Sequence, residues 1–315
     1  MKKKLFIIGN GFDRAHNMNT LYKHFRQYLR DTYLSHNGVL KELNYVPFVS
    51  LGAKGEDIFD VEDVAQFLEY LISQVEPKGH DWSDVETSLG NLDYGEVFDL
   101  LPEQYDVDGD EDYWAIAYNN EAMAYNLRDI VVYIKMFFEE WIDEIELNKD
   151  SKKQSFENLL DGKTMFLTFN YTETLEEIYQ VPRENICHIH GKQGEEIYFG
   201  HGDSRDYTEE YMSKYIGSEN ALTELDGLLK KDTEQALKKS KKFFDKIDGT
   251  IDEIYSIGFS YSDVDLVYIK EICSRISDNV IWYINDFDPE KTIEYIEKIR
   301  ECGFDGMVRS FNLMD

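Results

Sequence analysis

The first regular pattern in the chain is an apolar run, KLFII, that stops at Gly9. A continuous run of strand length, with β-branched residues at its end, predicts a strand buried on both faces. After the turn, Leu21, Phe25, Tyr28, Leu29 and Tyr33 recur near helical spacing and predict a helix. From about residue 37 to 160 the pattern is mostly helical, with VEDVAQFLEYLISQV and AYNLRDIVVYIKMFFEEWIDEI carrying apolar residues three and four apart. Strand-like runs then return as TMFLTF (164–169), NICHIH (185–190), EIYFGH (196–201), EIYSIGF (253–259), VIWYIND (280–286) and a last MVRSFN. Helical segments such as ETLEEIY and PEKTIEYIEKIRECG fall between several of them. Strands alternating with helices predict an α/β fold with an open parallel sheet. The expected organisation is a core of residues 1–36 and 160–315, a mainly helical insertion over 37–159, and a helical excursion over 203–250 within the core.

In such sheets ligands sit beyond the carboxyl ends of the strands, and the distinctive residues of this chain fall there. The first strand runs into Gly9-Asn10-Gly11-Phe12-Asp13. Two glycines permit a sharp turn and close backbone approach, and a following helix would offer free N–H groups to phosphate. The full dinucleotide fingerprint also needs a third glycine and an acid ending a second strand. Arg14 takes the former position, where it is expected to start the helix, and Asp31, at about the right distance, falls inside an amphipathic helix. The motif therefore reads either as a nucleotide site or as a plain tight turn.

Three further strand ends are equally double-edged. In TFNYT (168–172), Thr168 leads to Asn170, which either serves a turn or offers its amide to a substrate group or water. In HIHG (188–191), His188 and His190 would share one face of a strand. They are then a metal pair with His201 and Asp203, or His190 is a general base whose approach Gly191 leaves open, or both are packing residues. In GFSYSDVD (258–265), Gly258, Ser260, Ser262 and Asp263 form a second phosphate- or ribose-binding turn, or simply cap the next helix.

Charge narrows the choice of ligand. Thirty-three basic against 63 acidic residues leave a formal charge of −30, which repels phosphate backbones and excludes general nucleic-acid binding. The basic KKSKKFFDK stretch (238–246) reads as a solvated helix face balancing nearby acids. The acidic PEQYDVDGDEDYW stretch alternates Asp106, Asp108 and Asp110 but breaks the calcium-loop spacing at Gly109, so it reads as an exposed loop. Cys187, Cys273 and Cys302 form no paired framework, which suits a reducing compartment. No apolar stretch is long enough for a membrane span, so a cytoplasmic protein is expected.

The series GNGFD, the segment from Trp82 to Glu86, FNYT, HIHG, FGHG and GFSYSD resembles the AbiH family of bacterial abortive-infection proteins, through nearly the whole chain. TLYKHF after the first turn resembles it too. In motif order AbiH proteins resemble a branch of the SIR2-like group, where such turns build one NAD-binding cleft on a Rossmann-like sheet. The resemblance implies that Gly9, Asn10, Gly11, Phe12, Asp13, Thr168, Gly258, Ser260 and Asp263 hold the nucleotide, with Asp13 at ribose hydroxyls. It places Asn170 and His190 at the reacting ribose, and Trp82 and Glu86 over the cleft from the helical insertion.

Deacetylases of the SIR2 group usually carry an acid where this chain has Thr172, and often a four-cysteine zinc module that three cysteines cannot make. The resemblance therefore implies hydrolysis of NAD+ at the nicotinamide–ribose bond by an antiphage effector, without a metal and without acyl-lysine chemistry. His190 would be the base and Asn170 would position water or ribose. A phage-derived or defence-system protein is the expected trigger, and a homo-oligomer is compatible with this role. Two alternatives stand beside it: a non-catalytic sensor of NAD or ADP-ribose, and a metal-dependent hydrolase using His188, His190 and His201.

Overall fold

Six of the apolar runs become parallel strands: β1 (Lys4–Ile8), β2 (Met165–Thr168), β3 (Ile186–His188), β4 (Glu253–Ile257), β5 (Ile281–Asn285) and β6 (Met307–Phe311). The structure is a computed structural model and describes residues 2–34, 38–74, 88–285 and 289–313. The strands lie side by side in the order β3-β2-β1-β4-β5-β6, every neighbouring pair parallel. The strand order reverses at β1, so the chain leaves in opposite directions from the carboxyl ends of β1 and β4. That is the topological switch point of a doubly wound sheet.

The chain divides into two compact units, residues 1–21, 142–198 and 231–315, and residues 22–141 and 199–230. The sheet belongs to the first. Alternation along β1 sends Leu5 and Ile7 into an apolar layer with Leu167, Ile254 and Trp282, and Phe6 and Ile8 into a second layer with Phe166, Tyr255 and Ile257. Covered on both faces, the strands need apolar residues at successive positions, which is why KLFII lacks polar alternation. On the second face Phe166, Phe6, Tyr255 and Tyr283 stack in a ladder across β2, β1, β4 and β5, with centroids 5.4, 4.8 and 4.8 Å apart. Around the sheet lie α1 (Asn10–Ala15), α2 (Thr174–Tyr179), α3 (Leu266–Cys273) and α4 (Pro289–Glu301), among shorter helices.

The second unit is mainly helical, built on Tyr22–Tyr33, Val61–Gln74, Tyr113–Val131 and Glu219–Leu229, with one short ribbon of Ser50–Leu51 and Asp57–Ile58. Its first two helices are joined by Glu69, a wholly buried carboxylate that both Arg26 and Arg30 approach at 2.6 Å. Among the described residues no helix is long and apolar enough to cross a membrane.

Two expectations from the pattern are corrected. EIYFGH is not a strand: residues 196–201 join no ladder, and His201 makes a single isolated bridge to Lys230. Gly191 and Gly194, both in left-handed conformation, turn the chain after β3, and Tyr198 then donates its N–H to the His190 carbonyl. Alternating apolar residues here fill a buried loop instead of a sheet position. Arg14 does not start the helix after the glycine turn, because α1 begins at Asn10 and Arg14 stands in its last turn.

Candidate functional site

The carboxyl ends of β1, β2, β3 and β4 are level, since Ile8 pairs with Thr168 and Ile257, and Thr168 with His188. The glycine turns that follow β1 and β4 lock into one another. Gly9 donates its N–H to Ile257 and Gly11 to the Gly258 carbonyl, at 3.0 and 2.9 Å. A Cβ on Gly9 would lie 2.5 Å from the Gly258 oxygen, and one on Gly11 would lie 2.6 Å from the Gly258 Cα. Gly258 itself has φ +62, and its Cβ would meet the Phe12 nitrogen at 2.3 Å. The backbone approached by these glycines is thus the protein's own.

Asp13, on α1, is buried against the turn after β2. Its carboxylate accepts hydrogen bonds from the hydroxyls of Thr172 at 2.6 Å and Thr174 at 2.9 Å. Burial pushes the carboxyl up to about 6, against the pull of those two hydroxyls and of the nearby Asn170 amide. Asn170 is tied down through its backbone alone: its N–H donates to the Thr168 hydroxyl, and its carbonyl receives His188 Nδ1 at 3.0 Å. The other ring nitrogen of His188 lies 2.9 Å from Glu176 on α2. The Asn170 side chain is buried; its amide leans toward the Asp13 carboxyl, but among the described residues neither its nitrogen nor its oxygen has a partner within hydrogen-bond distance. Buried polar atoms are nearly always paired, so this amide, two residues beyond the end of β2, stands out among the polar groups at the strand ends.

His190 lies beyond the end of β3, in the turn, so the expectation that it shares a strand face with His188 is corrected. The two rings have separate partners. His190 Nε2 is 3.2 Å from Asp265 Oδ1, and Lys231 Nζ stands 3.3 Å from that oxygen and 3.5 Å from Nε2. Ser262 donates to the second Asp265 oxygen at 2.9 Å. Phe169 and Tyr268 pack their rings around the imidazole. Burial pushes the His190 pKa down and Lys231 pushes it the same way, against Asp265. A neutral imidazole accepts from Lys231 at Nε2 and is a base. Burial also raises Asp265, but Lys231 and His190 outweigh it and hold the carboxyl below its usual range. The space beside Gly191, expected to leave His190 open, is taken by the Glu196 carbonyl, 2.2 Å from where a Cβ would be.

The structure gathers Gly9, Gly11, Asp13, Thr168, Asn170, His190 and Gly258 around these four strand ends. Other expected residues are engaged elsewhere. Phe12 is buried in the core against Phe156, Asn10 donates to the Thr20 carbonyl, Ser260 is exposed, and Asp263 is exposed and pairs with Lys298 at 3.1 Å. Trp82 and Glu86 lie outside the described residues. His201 belongs to the helical unit, where Asp226 receives its Nε2 and its Nδ1 accepts the Asp203 N–H. Among the described residues no group of three or more His, Cys, Asp or Glu side chains is arranged to hold a metal ion. Sequence reasoning missed Lys231 and Asp265. Asp265 closes the GFSYSDVD stretch, where Ser262 three residues earlier signals a capping partner, but nothing around Lys231 distinguishes it from other surface-like lysines.

A parallel sheet of this order, with polar groups collected at the carboxyl ends beside the switch point, defines a Rossmann-like α/β protein. The chain matches the family Bacteriophage abortive infection AbiH over residues 5–286, and it belongs to that family. No curated protein and no solved structure matches it.

Proposed function

We propose that this AbiH protein hydrolyses NAD+ at the nicotinamide–ribose bond as an effector of abortive infection. The observation that carries the reading is the Asn170 amide, a donor and an acceptor both buried and unpaired at the end of a central strand. Such a group can hold a water or a ribose hydroxyl in a fixed direction at little further ordering cost. Water adds to the ribose carbon as the bond to nicotinamide breaks, giving ADP-ribose, nicotinamide and one proton. Nicotinamide leaves as a neutral molecule, so no acid has to protonate it. His190, neutral and buried, is the group assigned to take the proton, and Asp265 would then steady the imidazolium.

Chromatography of NAD+ incubated with the protein, purified from phage-infected and uninfected cells, tests this. Nicotinamide release is expected, falling at least about 100-fold in Asn170→Ala and His190→Ala. Intact NAD+ under both conditions overturns the reaction, and full activity in either variant overturns its residue assignment.

A second reading is favoured by the way Lys231 and Asp265 already engage His190 Nε2. On it the site binds NAD or ADP-ribose as a signal and performs no chemistry. Calorimetry showing tight nucleotide binding that Asn170→Ala abolishes, with no nicotinamide released, selects it.

A further inference from the structure

Away from the strand ends, the helical unit carries a surface of unusual composition. Between residues 88 and 127 the chain contains no lysine or arginine, while acids and aromatic residues are frequent. The loop before the helix Tyr113–Val131 concentrates them, with Glu103, Asp106, Asp108, Asp110, Glu111 and Asp112 in ten positions. Among the described residues none of these six carboxylates is in an ion pair, although ion pairs are frequent elsewhere in the chain.

This loop is built, not loose. The Asp106 carboxylate accepts the N–H groups of Asp108 and Asp110 at 2.9 and 3.0 Å, and Tyr105 bridges to Glu111 across the turn. Asp112 caps the helix by accepting from Trp114 and Ala115. A groove of about 210 Å³ runs between loop and helix. Phe98, Leu101, Pro102 and Ile116 supply its apolar walls, and Glu103 and Glu111 line it as well. Tyr105, 58% exposed, also lines it, with its hydroxyl bonded to Glu103 at 2.7 Å.

We propose that this groove docks a basic segment of a partner protein, through an arginine or lysine side chain. The apolar walls suit the aliphatic stem, and the two glutamates suit the cation. The Tyr105 ring offers a further cation–π contact, as such residues do at exposed sites. A second copy of this chain is disfavoured as occupant by its charge of −30. The fixed loop lets the acids and Tyr105 meet a partner without first being ordered.

The probe is a fluorescein-labelled peptide of alternating arginine and leucine, titrated by anisotropy at physiological salt. Tyr105→Ser, which leaves the charge unchanged, is expected to weaken binding about tenfold, or about 1.4 kcal/mol. Glu103→Gln with Glu111→Gln is expected to weaken it at least as much. The charge-matched control, Glu209→Gln with Glu234→Gln at exposed helix positions, is expected to match wild type. Absence of binding overturns the proposal, as does equal weakening in the control pair, which marks unspecific attraction. Sedimentation showing self-association that Tyr105→Ser abolishes also overturns it, in favour of a second copy. Circular dichroism checks that each variant is folded.

Discussion

Lys231 and Asp265 face one another with 3.3 Å between Nζ and Oδ1, the lysine side chain wholly buried and His190 Nε2 against the same carboxylate oxygen. A buried charge left alone by removing its partner costs about 3–5 kcal/mol. Lys231→Met is expected to lower the unfolding midpoint of the sheet unit by a loss in that range, followed through the fluorescence of buried Trp282. Asp265→Asn should cost a similar amount. The double variant should cost clearly less than the sum, because neither charge is then stranded. Additive losses would show that the two side chains do not depend on each other.

The interlocked glycines give a prediction of a different kind. Gly258→Ala forces a Cβ into left-handed backbone, worth about 1–2 kcal/mol, and within 2.3 Å of the Phe12 nitrogen. Backbone atoms on both sides have no flexible end to yield. Gly9→Ala and Gly11→Ala meet the same obstacle, so all three should fold poorly or melt well below wild type. Gly249→Ala, with nothing within 4 Å, should melt like wild type. A stable Gly11→Ala protein would mean that the turns after β1 and β4 are not packed as described.

Asp13 sets a pH dependence whose sign is unusual for an aspartate. Its carboxyl is pushed up to about 6 from an ordinary 3.8, because burial outweighs the two threonine hydroxyls. Below about pH 4 folded and unfolded chains both hold the proton, and stability is unaffected. Between roughly pH 4 and 6 the unfolded chain releases it while the folded one retains it, so stability falls as pH rises. Above about pH 6 a cost of about 3 kcal/mol remains. Subtracting the stability curve of Asp13→Asn from that of wild type isolates this step from Asp226, which burial also pushes up to about 6. A flat difference between pH 4 and 6 would refute the assignment.

The sheet was legible because strands covered on both faces are largely apolar, and KLFII shows this after its first residue, while EIYSI shows it around the buried polar Glu253 and Ser256. EIYFGH carries a similar signal and fails, since alternation cannot separate a strand from a loop whose apolar side chains happen to be buried. The glycines were legible as places of close approach, but no local pattern reveals that Gly9 and Gly11 approach Gly258. HIHG identified His190 yet suggested the wrong neighbour. Its partner Asp265 stands two residues after the Asp263 that the motif favoured, and a short helical turn points the one inward and the other to solvent. Lys231 comes from a different part of the chain, so only tertiary folding could bring it to His190.

Asn170 is the residue at which the proposed function and stability can be tested apart. Both of its structural bonds are made by the backbone, the N–H to Thr168 and the carbonyl to His188. Asn170→Ala keeps them and removes the amide, whose two polar atoms are buried without a partner in hydrogen-bond range and whose one further effect is its pull on the Asp13 carboxyl. An unpaired buried group carries a penalty of about 1–3 kcal/mol, which the substitution relieves and the small cavity it leaves partly restores. The melting temperature is therefore expected to stay level or rise. Nucleotide turnover or binding in the same sample should collapse, the pattern of a residue kept for its ligand at some expense of stability. A melting temperature several degrees lower, with nucleotide turnover or binding intact, would identify Asn170 as a packing residue and move the search for the ligand away from β2.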